Sequence, residues 1–282
     1  MCGIVGLHLR DPALYPQLGR LLVTMLGGVA ERGPDSAGVA VYGDHRRCPA
    51  GYAAVSVLGP APVVPDGVVT RAGETTVVAA PIPLDDLLDA VRGTRVVGTG
   101  TDVTVYKGTG RPLDLAVTYD LANVHGWQGL AHTRMATESR VDAEGCHPFS
   151  VGPDQCLVHN GSFANHATIR RELRAEGVEF DSENDTEVGA RFVAARLAAG
   201  DTLEVALKAL CARFDGFYTL LVTSGDGFAV VRDAIACKPA IIAETDAWVA
   251  MASEFRALAE LPGIDSARIW EPEPERVYAW AR

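Results

Sequence analysis

The chain has 282 residues, with 36 Asp and Glu against 25 Lys and Arg, for a formal net charge of −11. This acidic balance, with no Lys/Arg cluster and no interleaving of basic and aromatic residues, argues against a nucleic-acid partner. No apolar stretch approaches the ~20 residues that span a bilayer and no signal peptide precedes the first motif, so a cytoplasmic protein of one domain, or of one domain with an insertion, is expected.

Residues 2–9 read as a buried strand. Leu14, Leu18, Leu21, Leu22, Met25, Leu26 and Val29 then recur at helical spacing, and Glu31-Arg32-Gly33-Pro34 stops that helix. Residues 37–42 predict a second strand. From about 43 to 127 the composition shifts toward Gly, Pro, Val and Thr without strong periodicity, which suggests an inserted small α/β lobe of βαβ type. Within it, Pro60–Gly67 reads as a turn region, Leu84–Val91 as a short helix, and Arg95–Gly110 as a strand followed by a loop. Gly98-Thr99-Gly100 lacks the third glycine and the following helix of a dinucleotide fingerprint, so it reads as a plain turn.

Further on, Gln155–His159 reads as a strand running into His159-Asn160-Gly161, and Ile169 and Leu173 share a helix that Gly177 ends. The next helix begins near Asp185 with Val188, Phe192 and Ala195 on one face. Another opens on an Asp201/Glu204 capping-box pair and buries Leu203, Leu207, Leu210 and Phe214. From Phe217 onward, Val/Ile/Leu/Ala strands are broken by hairpin-like signals at Ser224–Gly227, Asp233-Ala234 and Thr245-Asp246.

The six cysteines, at 2, 48, 146, 156, 211 and 237, contain no Cys-x-x-Cys pair, and the seven histidines have no ligand spacing on a helix. Neither a disulfide framework nor a metal site is expected, and the five cysteines after Cys2 read as ordinary reduced residues.

Chemistry concentrates in five strings. The first is the start itself, Met1-Cys2-Gly3-Ile4-Val5-Gly6. Removal of Met1 would leave Cys2 with both a thiol and a free α-amine, and such an amine titrates near ~7.7–8.0, low enough to take the thiol proton at neutral pH. The thiolate is the reactive form. Taken alone, Cys2 reads equally as part of a buried first strand. Arg32-Gly33-Pro34-Asp35-Ser36-Ala37-Gly38, Ala131-His132-Thr133-Arg134-Met135-Ala136-Thr137, His159-Asn160-Gly161 and Asn184-Asp185-Thr186-Glu187 follow in order. Read singly, Asn160-Gly161 is a tight-turn signal, Arg134 a surface ion-pair residue and Asp185 a helix N-cap.

Together these strings resemble the class II glutamine amidotransferase family, over nearly the whole chain outside about 43–127. The resemblance implies a four-layer αββα sandwich of the N-terminal-nucleophile hydrolase type, α+β in class. It implies Cys2 as nucleophile, Asn160 and Gly161 as the oxyanion hole, and Arg134 as the clamp on the glutamine α-carboxylate. Thr137 and His147 would line the same pocket, Asp185 would pair with the α-ammonium, and Arg32 would position the N-terminal segment. Met135 stands where sugar-phosphate and purine-pathway members commonly carry an aromatic, which puts their loop gating in doubt here.

Within the family, the chain looks most like separate amidotransferase subunits related to archaeal-type glutamate synthase and N-methylglutamate synthase. That implies no cofactor in this chain and ammonia passed to a separate flavin-dependent synthase subunit, with FMN and iron–sulfur centres on the partner. The competing readings are a free N-terminal-nucleophile amide hydrolase and a non-catalytic glutamine-binding regulatory subunit.

Overall fold

The apolar runs Gly3–Leu9 and Ser36–Tyr42 are buried along their whole length, as befits strands covered on both faces. The computed structural model describes residues 2–135 and 141–282. Its elements begin with β1 (Gly3–Leu9), α1 (Leu18–Val29) and β2 (Ser36–Tyr42). There follow β3 (Ala53–Leu58), β4 (Val68–Ala72), β5 (Thr75–Ala80), α2 (Leu84–Ala90), β6 (Arg95–Gly100), β7 (Val103–Thr109) and α3 (Pro112–Thr118). The second half contains β8 (Gln128–Arg134), β9 (Cys156–Phe163), α4 (His166–Ala175), α5 (Asp185–Ala198), α6 (Leu203–Arg213), β10 (Gly216–Ser224) and β11 (Gly227–Arg232). It closes with β12 (Ile241–Glu244), β13 (Trp248–Ala252), β14 (Arg268–Trp270) and β15 (Tyr278–Ala281).

Two antiparallel sheets stack face to face. One has the order β14-β12-β13-β1-β8-β2-β7, the other β15-β11-β10-β9. Ile4, Leu130, Val158, Leu221, Phe228 and Met251 fill the space between them. The alternate residues of β1, namely Val5, Leu7 and Leu9, face outward onto Leu18, Leu22, Met25, Leu26 and Val29 of α1. On the far side, Leu220 and Val222 of β10 meet Ile169 of α4, Val188 and Val193 of α5, and Leu207 and Leu210 of α6. The result is the expected αββα sandwich, each helix layer held by apolar burial on the order of 1.5–3 kcal/mol per large side chain.

A third sheet, β4-β5-β3-β6, stands apart with α2 packed on it through Leu87 and Val91. Every pair in it is antiparallel, which corrects the βαβ expectation. Within 43–127 this sheet spans only 53–100. β7 returns to the principal sheet, pairing with β2 from Ser36↔Thr109 to Tyr42↔Val103, and α3 packs Leu115 and Ala116 beside α1. Gly98-Thr99-Gly100 lies inside β6 rather than in a turn, since Gly98 and Thr99 pair with Ser56 and Val55. The chain reverses just after it, where Asp154 accepts the amides of Thr101, Asp102 and Val103 at 2.9–3.0 Å.

Other expectations shift by a few residues. His159-Asn160-Gly161 is inside β9, not in a turn after it, because tertiary pairing with β10 overrides the local Asn-Gly preference. The N-cap of α5 is Asn184, whose side chain accepts from Thr186 N at 2.9 Å, rather than Asp185. Ala195 on that helix is exposed. α6 is capped by Thr202, not Asp201, which pairs instead with Arg196, and Leu203 is only half-buried. No helix among the described residues is long and apolar enough to cross a membrane.

Candidate active site

The register of the principal sheet decides what surrounds Cys2. Gly3 sits opposite Thr133 and Ser36 opposite Arg134, so the N-terminus emerges beside the end of β8. The segment is pinned there by its backbone. Gly3 N donates to Thr133 Oγ1 at 3.0 Å and Ile4 N to Ser253 Oγ at 2.9 Å, while Arg32 Nε and Asn160 Nδ2 both donate to the Cys2 carbonyl at 3.0 Å. Two acceptors and two donors from distant parts of the chain thus fix residues 2–4 through their backbone and leave the Cys2 thiol out of these bonds. Cys2 Sγ lies 3.5 Å from Met135 N and is half-buried.

Arg32 is held in turn by Glu254, at 2.8 Å. This bond, with Arg256 close by, keeps the Glu254 carboxyl below its usual range. Gly33 and Gly38 permit the tight packing that the motif suggested: a Cβ on Gly38 would stand 1.9 Å from the His147 carbonyl.

A cavity of about 290 Å³ opens over the thiol. It gathers Cys2, Arg32, Arg134, His147, Asn160, Gly161 and Asp185, seven of the eight residues singled out in the sequence. Thr137, the eighth, lies outside the described residues. Asn160 Nδ2 makes its second, longer contact to Ser253 Oγ at 3.4 Å. Gly161 adopts φ +136°, and a Cβ there would meet the Phe217 carbonyl at 1.9 Å, so no other residue fits this point of β9 without moving β10.

Asp185 divides its two oxygens. Oδ2 accepts from Phe163 N at 2.9 Å, while Oδ1 stands 3.4 Å from Thr186 Oγ1 and 4.0 Å from His159 Nδ1. The first bond places the carboxylate and the second oxygen stays on the cavity side. Arg134 and Lys238 supply two further cations to the lining, and among the described residues Asp185 is its one carboxylate. Such a lining suits a zwitterion whose carboxylate and ammonium ends are separated.

The sequence reading placed His147 at this pocket but missed His132 and His159 beneath it. His132 and His147 stack with ring centroids 4.1 Å apart, and His147 and His159 are parallel at 6.4 Å. All three are nearly sealed from solvent. Burial pushes His132 down to about 3 and His159 down to about 4, the nearby Asp185 opposing the latter in part, and it drives His147 well below the ordinary imidazole value. They are neutral at pH 7. His147 Nδ1 accepts from His159 N at 3.2 Å, and Thr186 Oγ1 bridges His147 and His159 at 3.2 and 3.0 Å. His132 and His159 each occupy a named string, but nothing in a single strand reveals that two sheets will bring three imidazoles into one stack. Lys238 was missed as well, since no motif in the sequence marks it.

A protein of Rhizobium meliloti described as "Glutamine amidotransferase-like protein GlxB" is 48% identical to this chain, spanning 99% of it and 98% of the relative. The chain belongs to the class II glutamine amidotransferase family. The family's glutamine amidotransferase domain matches residues 132–260, which hold Arg134, Asn160, Gly161 and Asp185. A putative glutamine amidotransferase of Methanothermobacter thermautotrophicus is 30% identical over 99% of both chains. Among solved structures, the glutamine phosphoribosylpyrophosphate amidotransferase of B. subtilis superposes with a TM-score of 0.63 at 19% identity, covering 99% of this chain and 49% of that one. The shared fold is the N-terminal-nucleophile sandwich, and in this amidotransferase domain its two sheets meet at the Cys2 cavity.

Proposed function

We propose that the protein hydrolyses L-glutamine to glutamate and ammonia at Cys2. The observation that carries this reading is the convergence on one cavity of a thiol, a side-chain amide beside a left-handed glycine, an arginine and the Asp185 carboxylate. Cys2 Sγ attacks the carboxamide carbon. Its α-amine, free once Met1 is removed, receives the thiol proton and delivers it to the departing ammonia, and water then cleaves the γ-glutamyl thioester. Asn160 Nδ2 and Gly161 N–H hold the oxyanion: the long Asn160–Ser253 contact of 3.4 Å is weak enough to yield to a charged acceptor. Arg134 binds the substrate α-carboxylate, with Thr137 and His147 lining the same pocket. Asp185 Oδ1 takes the α-ammonium, and Arg32 positions Cys2 through its carbonyl.

The ammonia is passed, in this reading, to a separate synthase subunit in the cytoplasm, of the glutamate synthase or N-methylglutamate synthase kind, with FMN and iron–sulfur centres on the partner. Support comes from coverage: the Rhizobium and Methanothermobacter relatives match end to end, whereas the phosphoribosylpyrophosphate enzyme has half its length outside the match.

The test is release of ammonia and glutamate by the purified protein, with Cys2→Ala as control and with or without lysate of its source. Cys2-dependent release that rises with lysate supports a coupled subunit, and full activity alone supports a free hydrolase. Absence of release in both conditions, or retained Met1 in an active preparation by mass spectrometry, refutes the mechanism. Arg134→Ala is expected to weaken glutamine binding, and unchanged affinity would remove its assignment.

A further inference from the structure

A second cavity, of about 380 Å³, opens between the inserted sheet and the sandwich. Leu84 and Leu88 of α2 and Val97 of β6 form an apolar wall, opposite Phe149. Into the same space projects Lys107 of β7, only 2% exposed, its Nζ 4.8 Å from the centre of the Phe149 ring.

Of the other charged groups of the lining, Asp85 is exposed to solvent and the rest are engaged with one another. Arg95 pairs with Asp181 at 3.1 Å and Glu144 at 3.5 Å, and Arg191 pairs with Asp181 at 2.6 Å and Glu187 at 3.2 Å. Glu187 also accepts the amides of Asp181 and Ser182 and the Ser182 hydroxyl at 2.7–2.8 Å. Lys107 makes no ion pair with any described residue; the ring of Phe149 lies against it, and the more distant Glu187 also favours its charge. An uncompensated buried ammonium costs on the order of several kcal/mol. Burial lowers Lys107 to about 8, which still leaves it mainly protonated at pH 7.

Charge also restricts what can enter. The lining carries Arg95, Lys107 and Arg191 against Asp85, Glu144, Asp181 and Glu187, a net charge of −1, so attraction for an anion is local to Lys107 and each further negative charge on a ligand meets added repulsion.

We propose that this cavity is a second ligand site, taking a small aliphatic monocarboxylate whose charge pairs with Lys107 and whose hydrocarbon lies on Leu84, Leu88 and Val97. The site stands independently of the chemistry assigned to Cys2. A buried cation with no ion pair among the described residues, an adjoining apolar wall and open volume together are what such a ligand requires.

Lysine is scarce enough to make the test direct, because the chain has only Lys107, Lys208 and Lys238. Lysine labelled with ¹³C at Cε gives three signals in the full-length protein, to be followed during titration with butyrate, with inorganic phosphate and with butanol. Butyrate is expected to shift the Lys107 signal saturably and to raise its titration midpoint, since a bound anion favours the ammonium. Phosphate and butanol are expected to produce no saturable shift. Lys238 reports separately on the Cys2 pocket. In Lys107→Met, butyrate should no longer raise the melting temperature, while the unliganded variant melts no lower than the parent because an unpaired buried charge has been removed. No saturable movement of the Lys107 signal overturns the site, and phosphate binding as tightly as butyrate overturns the carboxylate assignment.

Discussion

Acidification from pH 7 to 5 should destabilise this fold steeply, through the imidazoles between the sheets. His132 and His159 are pushed down to about 3 and about 4, and His147 lies well below its ordinary value, whereas in the unfolded chain each titrates near ~6.5. A depressed histidine pKa means that the folded state prefers the neutral ring. The stability it represents is therefore fully present above about pH 6.5, and it drains away as pH falls toward the depressed folded values, about 3 for His132 and about 4 for His159. At pH 5.5 about nine-tenths of each unfolded imidazole is charged, so unfolding takes up roughly three protons, a slope of about 4 kcal/mol per pH unit. Between pH 7 and 5 the three sites account for about 5 kcal/mol, comparable with the whole stability of an ordinary domain, about 5–15 kcal/mol. Urea unfolding followed by tryptophan fluorescence at intervals between pH 7 and 5 measures this slope. An uptake of less than about one proton at pH 5.5 would refute the idea that the three rings are buried neutral.

The remaining predictions concern the Cys2 cavity. Arg32→Ala removes the 3.0 Å bond to the Cys2 carbonyl and the 2.8 Å pair to Glu254, and should lower kcat for glutamine hydrolysis by about 10–100-fold, with KM nearly unchanged. A change confined to KM would place Arg32 on the substrate instead. Asp185→Asn keeps an acceptor for Phe163 N while losing the charge, so KM should rise by about 10-fold at nearly constant melting temperature; an unaltered KM rules out the ammonium contact. Gly161→Ala forces a Cβ against the Phe217 carbonyl at φ +136° and should cost more than about 100-fold in kcat/KM, together with a lower melting temperature; full activity would show that the β9 backbone is not used.

The sandwich and most of the cavity could be read in the sequence because their signals are local and ordered. The helical spacing from Leu18 to Val29 survives intact in α1, and Ser224–Gly227 and Thr245-Asp246 do connect antiparallel strands. What escaped depends on which strand lies beside which. Asn160-Gly161 carries a strong turn signal, yet it is drawn into β9 because Thr219 and Tyr218 of β10 pair with it. Ala195 has the right spacing for burial, but the face of α5 that meets the sheet turns through Val188, Gly189 and Val193. The third sheet, between 53 and 100, has strands such as β4 whose burial alternates, and others such as β5 that are buried throughout, so no single period marks it. Likewise the imidazole stack takes one member from β8, one from the segment before β9 and one from β9 itself, a proximity that no spacing within the chain encodes.

Tyr42 and Val103 face each other in the β2–β7 ladder, so the chain leaves the principal sheet and re-enters it through what is otherwise the tip of a plain hairpin. A module grafted at such a point leaves its host's register untouched and adds chiefly a closure entropy that grows by only about 0.6 kcal/mol per doubling of length. The graft is nevertheless tethered twice. Asp154, just upstream of β9, takes the amides at its exit, and Trp127 Nε1 donates to Asp102 at 2.8 Å. Excision with a two-residue turn should therefore spare the strands that carry Cys2 and Asn160 while deleting the wall of Leu84, Leu88 and Val97. The Lys107 cavity accordingly depends on the inserted residues for one of its walls, whereas the Cys2 cavity takes none of its lining from them.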